Sequence, residues 1–263
     1  MTTPEDCHIA GSRERLAQLL SRPRVAIVGS RHCTYYGREV AERLSRDLAG
    51  AGITVLAGLT EGIEASAHHA VLATGGRTLA VVPGPPHIPY AAGQKHLHAQ
   101  IMRRGYVVSD TQAQRSVQAR DPLLERNRLI AQLAHVLILI EATAGAAATL
   151  TAETALELGR EIGAVPGRIV DESAQGPNRL IRDGATPILD ADDVLSLLAK
   201  TPPRIQIASD IHSAAPKQEH VHMPLPMSTT PHRIARPKAT EAQKANGLDL
   251  GLRDVRLPDG KPA

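Results

Sequence analysis

Apolar strand-like runs alternate regularly with helix-like stretches, and this alternation limits the fold of the chain more than any other feature. The strand-like runs lie near 24–28, 53–57, 77–83, 105–109, 135–141 and 162–165, and the helix-like stretches at 37–51, 64–74, 95–104, 121–134 and 149–160. Runs such as VAIV and VLILI are apolar on both pleat faces, which is typical of parallel strands covered by helices on both sides. The pattern predicts an α/β fold with an extended, Rossmann-like, doubly wound and mostly parallel sheet.

The side chains available for the core are small. The sequence has no Trp, no Phe and four Tyr, so Val, Ile, Leu and Ala must fill the space between helices and sheet. In the first long helical stretch, the apolar spacing predicts one buried face made of Val40, Leu44, Leu48 and Ala51. That face is expected to lie on the sheet.

The two ends of the chain differ in composition from its middle. Residues 1–22 are predicted to be an N-terminal extension with one short helix at 13–20, and residues 23–199 to form the Rossmann-like domain. From residue 200 onward the helical and strand periodicity ends, prolines are frequent, and Lys and Arg outnumber Asp and Glu. This composition predicts that 200–263 is a Pro-rich, mildly basic, disordered tail.

Targeting and membrane signals are not apparent. The apolar runs are far shorter than a bilayer span requires, and the first residues, MTTPEDCHIAG, carry acids where a secretory signal would carry basic residues. The two cysteines, Cys7 and Cys33, are isolated and do not form a disulfide framework. These features predict a cytoplasmic protein with no membrane partner.

Common catalytic motifs are missing from the sequence. The twelve histidines are scattered and lack the spacing of a zinc site, and neither a G-x-S-x-G elbow nor a P-loop occurs. The stretch GSRHCTYYG after the first strand begins and ends with glycine but lacks the dinucleotide fingerprint. The sequence therefore predicts no catalytic residue, no metal and no cofactor.

The turn after the first strand is a candidate anion site. A glycine turn at a helix amino terminus exposes backbone N–H groups to phosphate, and Ser30 and Arg31 add a hydroxyl and a guanidinium. The alternative is that Arg31 caps a strand end or pairs with a surface carboxylate. The tripeptide alone does not distinguish the two.

Arg126, Asn127 and Arg128 form a second polar group, on the helix that leads into the fifth strand. Positions two apart on a helix point about 200° apart, so one arginine is expected to face a groove while the other holds the fold. The alternative is two solvated arginines. At the end of the fifth strand, Glu141 is expected to orient a loop by accepting N–H groups, rather than to act as a general base.

Six segments in order resemble the DprA/Smf DNA-processing family, across about residues 24–186. They are VAIVGSRHCTYYG, GITVLAGLTEGIEASAHHAVL, GGRTLAVVPG, RNRLIAQLAHVLILIEA, TAETALELGREIGAVPG and GPNRLIRDGA. The resemblance implies a non-enzymatic homodimer that binds and protects single-stranded DNA and loads the RecA recombinase during natural transformation. By position, it implies phosphate contacts from Ser30, Arg31, Arg126, Asn127 and Arg128, and a loop shaped by Gly29, Thr34, Gly37, Gly58, Gly62 and Glu141.

The sequence departs from the family pattern at several positions. Glu61 stands where the family has Arg or Lys, Glu64 stands where it has Asp, and Ala146–Ala148 replace a loop that carries hydroxyls. The helical amino-terminal and winged-helix carboxyl-terminal domains of many relatives are not apparent. A diverged paralogue with weakened DNA binding is therefore one alternative. Another is a nucleotide-binding or phosphoribohydrolase protein of the LOG type, in which Glu153 would match the final acid of the signature.

Overall fold

A computed structural model describes residues 7–10, 13–110 and 121–201. Within these ranges, eight strands form one sheet in the order β1-β5-β4-β3-β2-β6-β7-β8. The strands are β1 (Cys7–Ala10), β2 (Arg24–Val28), β3 (Thr54–Gly58), β4 (Thr78–Val81), β5 (Tyr106–Asp110), β6 (Val136–Leu139), β7 (Glu161–Ala164) and β8 (Thr186–Pro187). All neighbours pair in parallel except β1, which runs antiparallel to β5.

Helices cover both faces of the sheet. They are α1 (Arg13–Leu20), α2 (Tyr35–Gly50), α3 (Ile63–Ala73), α4 (Lys95–Arg104), α5 (Pro122–Leu133), α6 (Ala147–Glu157), α7 (Gln175–Arg182) and α8 (Ala191–Lys200). Helices α1, α5 and α6 pack on one face, and α2, α3 and α8 on the other. The fold class expected from the sequence, a Rossmann-like and mostly parallel sheet between helices, is confirmed.

Strand β2 shows why its sequence is apolar throughout. Val25 and Ile27 pack in the core on the α2 side, while Ala26 and Val28 pack in the core on the α5 side. All four side chains are buried. A strand with helices on both faces has no solvent face, so polar residues cannot alternate with apolar ones.

The buried face of α2 differs from the predicted one. Leu44 and Leu48 are buried as expected, but Val40 is half-buried and Ala51 lies exposed beyond the helix end. Gly37, Ala41 and Ser45 complete the buried face instead. The observed spacing of i, i+4, i+7, i+8 and i+11 is the one that places side chains on a single face of a helix with a 3.6-residue repeat.

Several elements were not predicted from the sequence. Strand β1, which joins the edge of the sheet beside β5, is one of them. Helix α1, by contrast, spans the residues 13–20 that were predicted to be helical, and its Leu16, Leu19 and Leu20 enter the core. Beyond β7, the two-residue strand β8 completes the sheet, and the helices α7 and α8 precede and follow it in the chain. These elements are short, so their periodicity is weak, and tertiary packing determines them. Most of the predicted tail, from 202 onward, lies outside the described residues, and the proposed domain boundaries stay predictions.

The direction of chain progression reverses between β2 and β6. From β2 the chain moves outward through β3 and β4 to β5, and then returns to the other side of β2 as β6. Loops that leave the carboxyl ends of β2 and β6 therefore diverge to opposite faces and leave a crevice. In open parallel sheets such a crevice is where ligands bind.

Candidate functional site

A cleft of about 230 Å³ lies at this crevice. The loops after β2, β3 and β6 and the facing sides of α5 and α6 form its walls. Its lining residues are Gly29, Ser30, Arg31, Thr60, Glu64, Arg126, Asn127, Ala142, Thr143, Ala146, Ala147, Ala148 and Thr151. Four of the five predicted phosphate contacts, all except Arg128, are therefore brought together from segments about a hundred residues apart.

The backbone of the first loop is fixed on both sides. The Ser30 N–H donates to the carbonyl of Glu141 at 2.7 Å, and the Ser30 carbonyl accepts from the N–H of Ile63 at 3.2 Å. A Cβ on Gly29 would lie 2.7 Å from the Ile63 side chain, so only glycine lets α3 come this close. These contacts hold the turn that presents Arg31.

The side chain of Arg31 is exposed at the cleft. It makes no hydrogen bond or ion pair with any residue in the described ranges, so it neither caps the strand end nor neutralises a carboxylate there. A guanidinium in this position offers a planar set of donors to a phosphate.

Glu141 anchors the loop between β2 and α2. One of its carboxylate oxygens accepts the Thr34 N–H at 2.9 Å, and the other accepts the Thr34 hydroxyl at 2.5 Å. A Cβ on Gly37 would lie 2.3 Å from the same carboxylate, which explains the glycine at that position. The Thr34 hydroxyl also accepts the Gly37 N–H and so caps α2. Both oxygens of Glu141 are thus engaged in holding the loop.

Gly62 lets two loops cross. It precedes α3 with φ +78°, and a Cβ there would lie 2.3 Å from the Ser30 carbonyl and 2.4 Å from that of Arg31. Both the positive φ and the backbone contact favour glycine. The turn before α3 therefore determines where Ser30 and Arg31 lie.

Arg126 lies in the floor of the cleft and forms an ion pair with Glu64. One terminal nitrogen of its guanidinium donates to both oxygens of Glu64, whose carboxylate also accepts the Thr60 N–H at 2.9 Å and the Thr60 hydroxyl at 2.6 Å. Burial alone would raise the pKa of Glu64, but Arg126 and the Thr60 hydrogen bonds hold it below its usual range. The charge of Arg126 is therefore balanced within the protein.

Gly58, at the end of β3, provides the space for this guanidinium. A Cβ on Gly58 would lie 1.2 Å from a terminal nitrogen of Arg126. The Gly58 carbonyl is 2.7 Å from Nε2 of the buried His68, whose Nδ1 lies 2.6 Å from the Thr78 hydroxyl. Burial lowers the pKa of His68 from 6.5 to about 4, so its ring is neutral and must donate through Nε2, because a carbonyl can only accept.

The remaining residues of α5 separate as helix geometry requires. Asn127 is buried at the cleft, and its side-chain oxygen accepts from Arg126 at 3.1 Å. Arg128 is exposed and does not line the cleft. Because Arg126 and Arg128 are two positions apart, their side chains point in different directions.

The opposite wall of the cleft is the amino terminus of α6. No side chain caps this helix at Ala146, and Ala147 and Ala148 line the cleft. The first turn of a helix leaves backbone N–H groups without intrahelical acceptors, and the helix dipole places partial positive charge there. Phosphate binding at this wall would depend on backbone groups rather than on hydroxyls.

Sequence reasoning did not identify three threonines of the lining: Thr60, Thr143 and Thr151. The Thr60 hydroxyl donates to Glu64 and the Thr151 hydroxyl to the Ala147 carbonyl, so both are engaged. Thr143 is exposed. Its position directly after the fifth predicted strand was the signal that could have revealed it.

Glu61 and Glu153, which the sequence analysis compared with family patterns, lie outside the lining of the cleft. Glu61 is exposed, and its carboxylate would be 2.8 Å from a Cβ on Gly93, so it faces the loop that enters α4. Glu153 is exposed on α6. Across the described ranges, no group of three or more His, Cys, Asp or Glu could hold a metal ion. No described helix is both long enough and apolar enough to cross a membrane.

Comparison with known proteins identifies the family of the chain. The model of the family described as DNA recombination-mediator protein A matches residues 14–199. A DNA processing protein DprA of Mycobacterium tuberculosis is 36% identical over 206 residues, which are 76% of this chain and 52% of that protein. The chain spans about half the length of the curated relatives it matches.

Two solved structures show the same fold. The crystal structure of DprA from Streptococcus pneumoniae is 32% identical, with a TM-score of 0.64 over 72% of this chain and 65% of that one. A structure of DNA processing protein A from Helicobacter pylori, which concerns its single-stranded DNA binding mode, is 25% identical, with a TM-score of 0.63 over 75% of this chain and 88% of that one. The chain therefore belongs to the DNA recombination-mediator protein A family, the DprA/Smf proteins.

Proposed function

We propose that this protein binds the phosphates of single-stranded DNA in the cleft between β2 and β6, without catalysing a reaction. The observation that carries the proposal is the exposed Arg31, which has no partner among the described residues and lies in a cleft with the uncapped amino terminus of α6. Ser30 and Asn127 add polar groups to the same cleft. The Helicobacter pylori relative, whose structure concerns single-stranded DNA binding, supports the choice of ligand.

Binding would depend mainly on charge. The chain has no Trp and no Phe, so it offers few rings on which bases can stack. We expect little sequence preference and a strong decrease in affinity with salt, with a log–log slope of about −0.7 for each phosphate contacted.

Fluorescence anisotropy with labelled oligothymidylate tests the proposal. Arg31→Ala should weaken binding and make the salt slope shallower by about 0.7, since one phosphate contact is lost. Arg43→Ala is the matched control, because Arg43 is exposed on α2 and pairs only loosely with Asp47 at 3.9 Å. Absence of binding by the wild-type protein at low salt would overturn the proposal.

Family membership supports further roles that we infer for this chain: it protects incoming DNA and loads RecA in the cytoplasm during natural transformation. The test is RecA strand exchange on DNA coated with single-stranded DNA-binding protein. The full chain should shorten the lag, and Arg31→Ala should not. Equal lags with and without the protein would refute RecA loading while leaving DNA binding intact.

We also infer a homodimer. Loops that leave the neighbouring strands β7 and β8 expose Ile169, Val170 and Leu189, with relative exposures of 91%, 73% and 75%. Apolar side chains exposed together favour an interface, and a second copy supplies the same surface. Analytical ultracentrifugation should show a dimer that Ile169→Asp with Leu189→Asp dissociates. A wild-type monomer at micromolar concentration would contradict it.

A diverged member with weakened DNA binding is the second candidate. The ion pair of Arg126 with Glu64 supports it, because it neutralises the second cation in the cleft, as do the alanines at the start of α6. A dissociation constant far above that of a relative, with RecA binding retained, would favour this candidate. The LOG-type enzyme gains no support from the cleft, because Glu153 lies outside its lining.

A further inference from the structure

One long segment of the chain contains no acidic residue. The protein has 27 Asp and Glu among 263 residues, yet none occurs between Ala65 and Ser109. The same segment contains Arg77, Lys95, Arg103 and Arg104. Surfaces of soluble proteins ordinarily mix both signs of charge, so an acid-free segment of this length calls for a physical explanation.

The structure places this segment in one region. It forms most of α3 and then β4, α4 and β5, which pack together through a shared apolar cluster. Helix α4 buries Leu97, His98 and Ile101. It exposes Lys95, His96, Arg103 and Arg104.

Arg77 joins the arginines at the far end of α4. A Cβ on Gly105 would lie 2.4 Å from the Thr78 carbonyl, so the residues that follow Arg104 and Arg77 are in contact. We call Lys95, Arg103, Arg104 and Arg77 the α4 cationic strip. With ten residues, α4 separates Lys95 from Arg104 by roughly 14 Å.

The strip is not balanced by ion pairs. None of its four cations forms a salt bridge with a residue in the described part of the chain. Helix α2 shows the ordinary alternative, because Glu39, Glu42 and Asp47 lie among its three arginines. The mixed charges of α2 are those of an ordinary solvated surface. The like charges on α4 repel one another unless an anion binds there.

The Lys95 end of the strip lies towards the cleft. Gly93, just before α4, faces Glu61, which follows the cleft residue Thr60 and precedes α3. Arg77 and Arg104 precede β4 and β5, so they lie at the amino ends of these parallel strands. The cleft lies at the carboxyl ends. The strip therefore leads away from the cleft across one side of the domain.

We propose that the α4 cationic strip binds the phosphate backbone of the same DNA strand beyond the cleft. The proposal rests on the proposed function and extends its DNA-contacting surface. The chemistry favours a polyanion over a lipid surface, because α4 exposes no large apolar side chain that could insert into a bilayer. Contacts along the strip need no base recognition, since each cation meets one phosphate.

The test compares long and short DNA on matched charge variants. The strip variant carries Lys95→Gln, Arg103→Gln and Arg104→Gln. The control variant carries Arg22→Gln, Arg43→Gln and Arg46→Gln, which removes the same charge from exposed positions outside the strip. Anisotropy titrations use oligothymidylates of roughly 6 and 30 nucleotides at several salt concentrations. Thermal unfolding verifies that all variants fold.

For the longer DNA, the strip variant should lose about tenfold or more in affinity, with a salt slope shallower by about 2, from three contacts at 0.7 each. The strip variant and the control variant should bind the short DNA with equal affinity. Equal slopes for the strip and control variants on the long DNA would overturn the strip. A loss confined to binding of phosphatidylserine vesicles would also overturn it.

The strip and the cleft can fail separately. Loss of binding in the strip variant with none in Arg31→Ala would support the strip and contradict the cleft. Loss in Arg31→Ala alone would support the cleft and overturn the strip. No binding by the wild-type protein would overturn both.

Discussion

Arg126 and Glu64 form an ion pair in the floor of the cleft, with both side chains 6% exposed. The pair joins α5 to the start of α3, and Thr60 fixes the carboxylate through its N–H and its hydroxyl. Two loops of the candidate site are therefore positioned by one buried contact. The arrangement also removes one cation from the set that is free to attract phosphate.

Replacing Glu64 by Gln should destabilise the protein by about 3 kcal/mol, because it leaves the buried guanidinium of Arg126 without its counter-charge. Urea unfolding followed by circular dichroism measures the change. The double variant Glu64→Gln with Arg126→Gln should recover part of the loss, since no unpaired charge remains. A cost below about 0.5 kcal/mol for the single variant would show that the pair contributes little, as exposed pairs do.

Gly62→Ala should be more destabilising than Gly52→Ala. Both glycines have φ +78°, but a Cβ at Gly52 has no neighbour within 4 Å, whereas one at Gly62 meets the carbonyls of Ser30 and Arg31. The Gly52 variant measures the cost of a positive φ, about 1 kcal/mol. The ψ of −130° at Gly62 adds strain of its own, because it places the residue in a region that glycine alone adopts readily. The Gly62 variant adds displacement of the first loop, so we also expect it to weaken DNA binding.

Chemical denaturation of both variants, with anisotropy on oligothymidylate, gives the comparison. Equal stability losses and equal affinities would show that the crossing of the two loops tolerates a methyl group.

Stability should decrease as the pH falls from 6.5 to 4. The pKa of His68 is lowered from 6.5 to about 4 by burial, so in this window the unfolded chain binds a proton that the folded protein excludes. The effect amounts to about 3 kcal/mol when the pH reaches the folded pKa. Below 4.5 Glu64 adds a further loss, because its lowered pKa keeps the carboxylate ionised in the folded protein while the unfolded chain takes up a proton.

Unfolding free energies at a series of pH values test this linkage. His68→Gln should flatten the profile between pH 6.5 and 4, and the same substitution at His96, which is exposed on α4, is the control. An unchanged slope in the His68 variant would assign the pH dependence to other groups.

Glu61→Gln should strengthen DNA binding by a few-fold at low salt. Glu61 is exposed beside the loop into α4, between the cleft and the α4 cationic strip, so its charge repels a strand that follows both. Glu157→Gln is the control, because it lies at the carboxyl end of α6, roughly 15 Å from the end that lines the cleft. The gain should disappear at high salt. Equal affinities of the two variants would argue against a DNA path past Glu61.

The layered architecture could be predicted from the sequence alone. The continuous apolar strands and the amphipathic helices are local patterns, and they specify a parallel sheet with both faces covered wherever they alternate. The loop residues Gly29, Ser30 and Arg31 could also be located, since a turn at the carboxyl end of a buried strand opens onto the ligand-binding edge. Strand β1 and the elements after β7 are too short to be recognised without their partners.

Which charges remain free depends on tertiary contacts that the sequence does not reveal. Arg31 and Arg126 look alike in the sequence, but Arg126 is buried against Glu64, which lies 62 positions away. Likewise, the arginines before β4 and β5 become neighbours because parallel strands align their ends. Ion pairing and burial depend on contacts between segments that are far apart in the chain. A local sequence pattern does not show which of these segments lie close together in space.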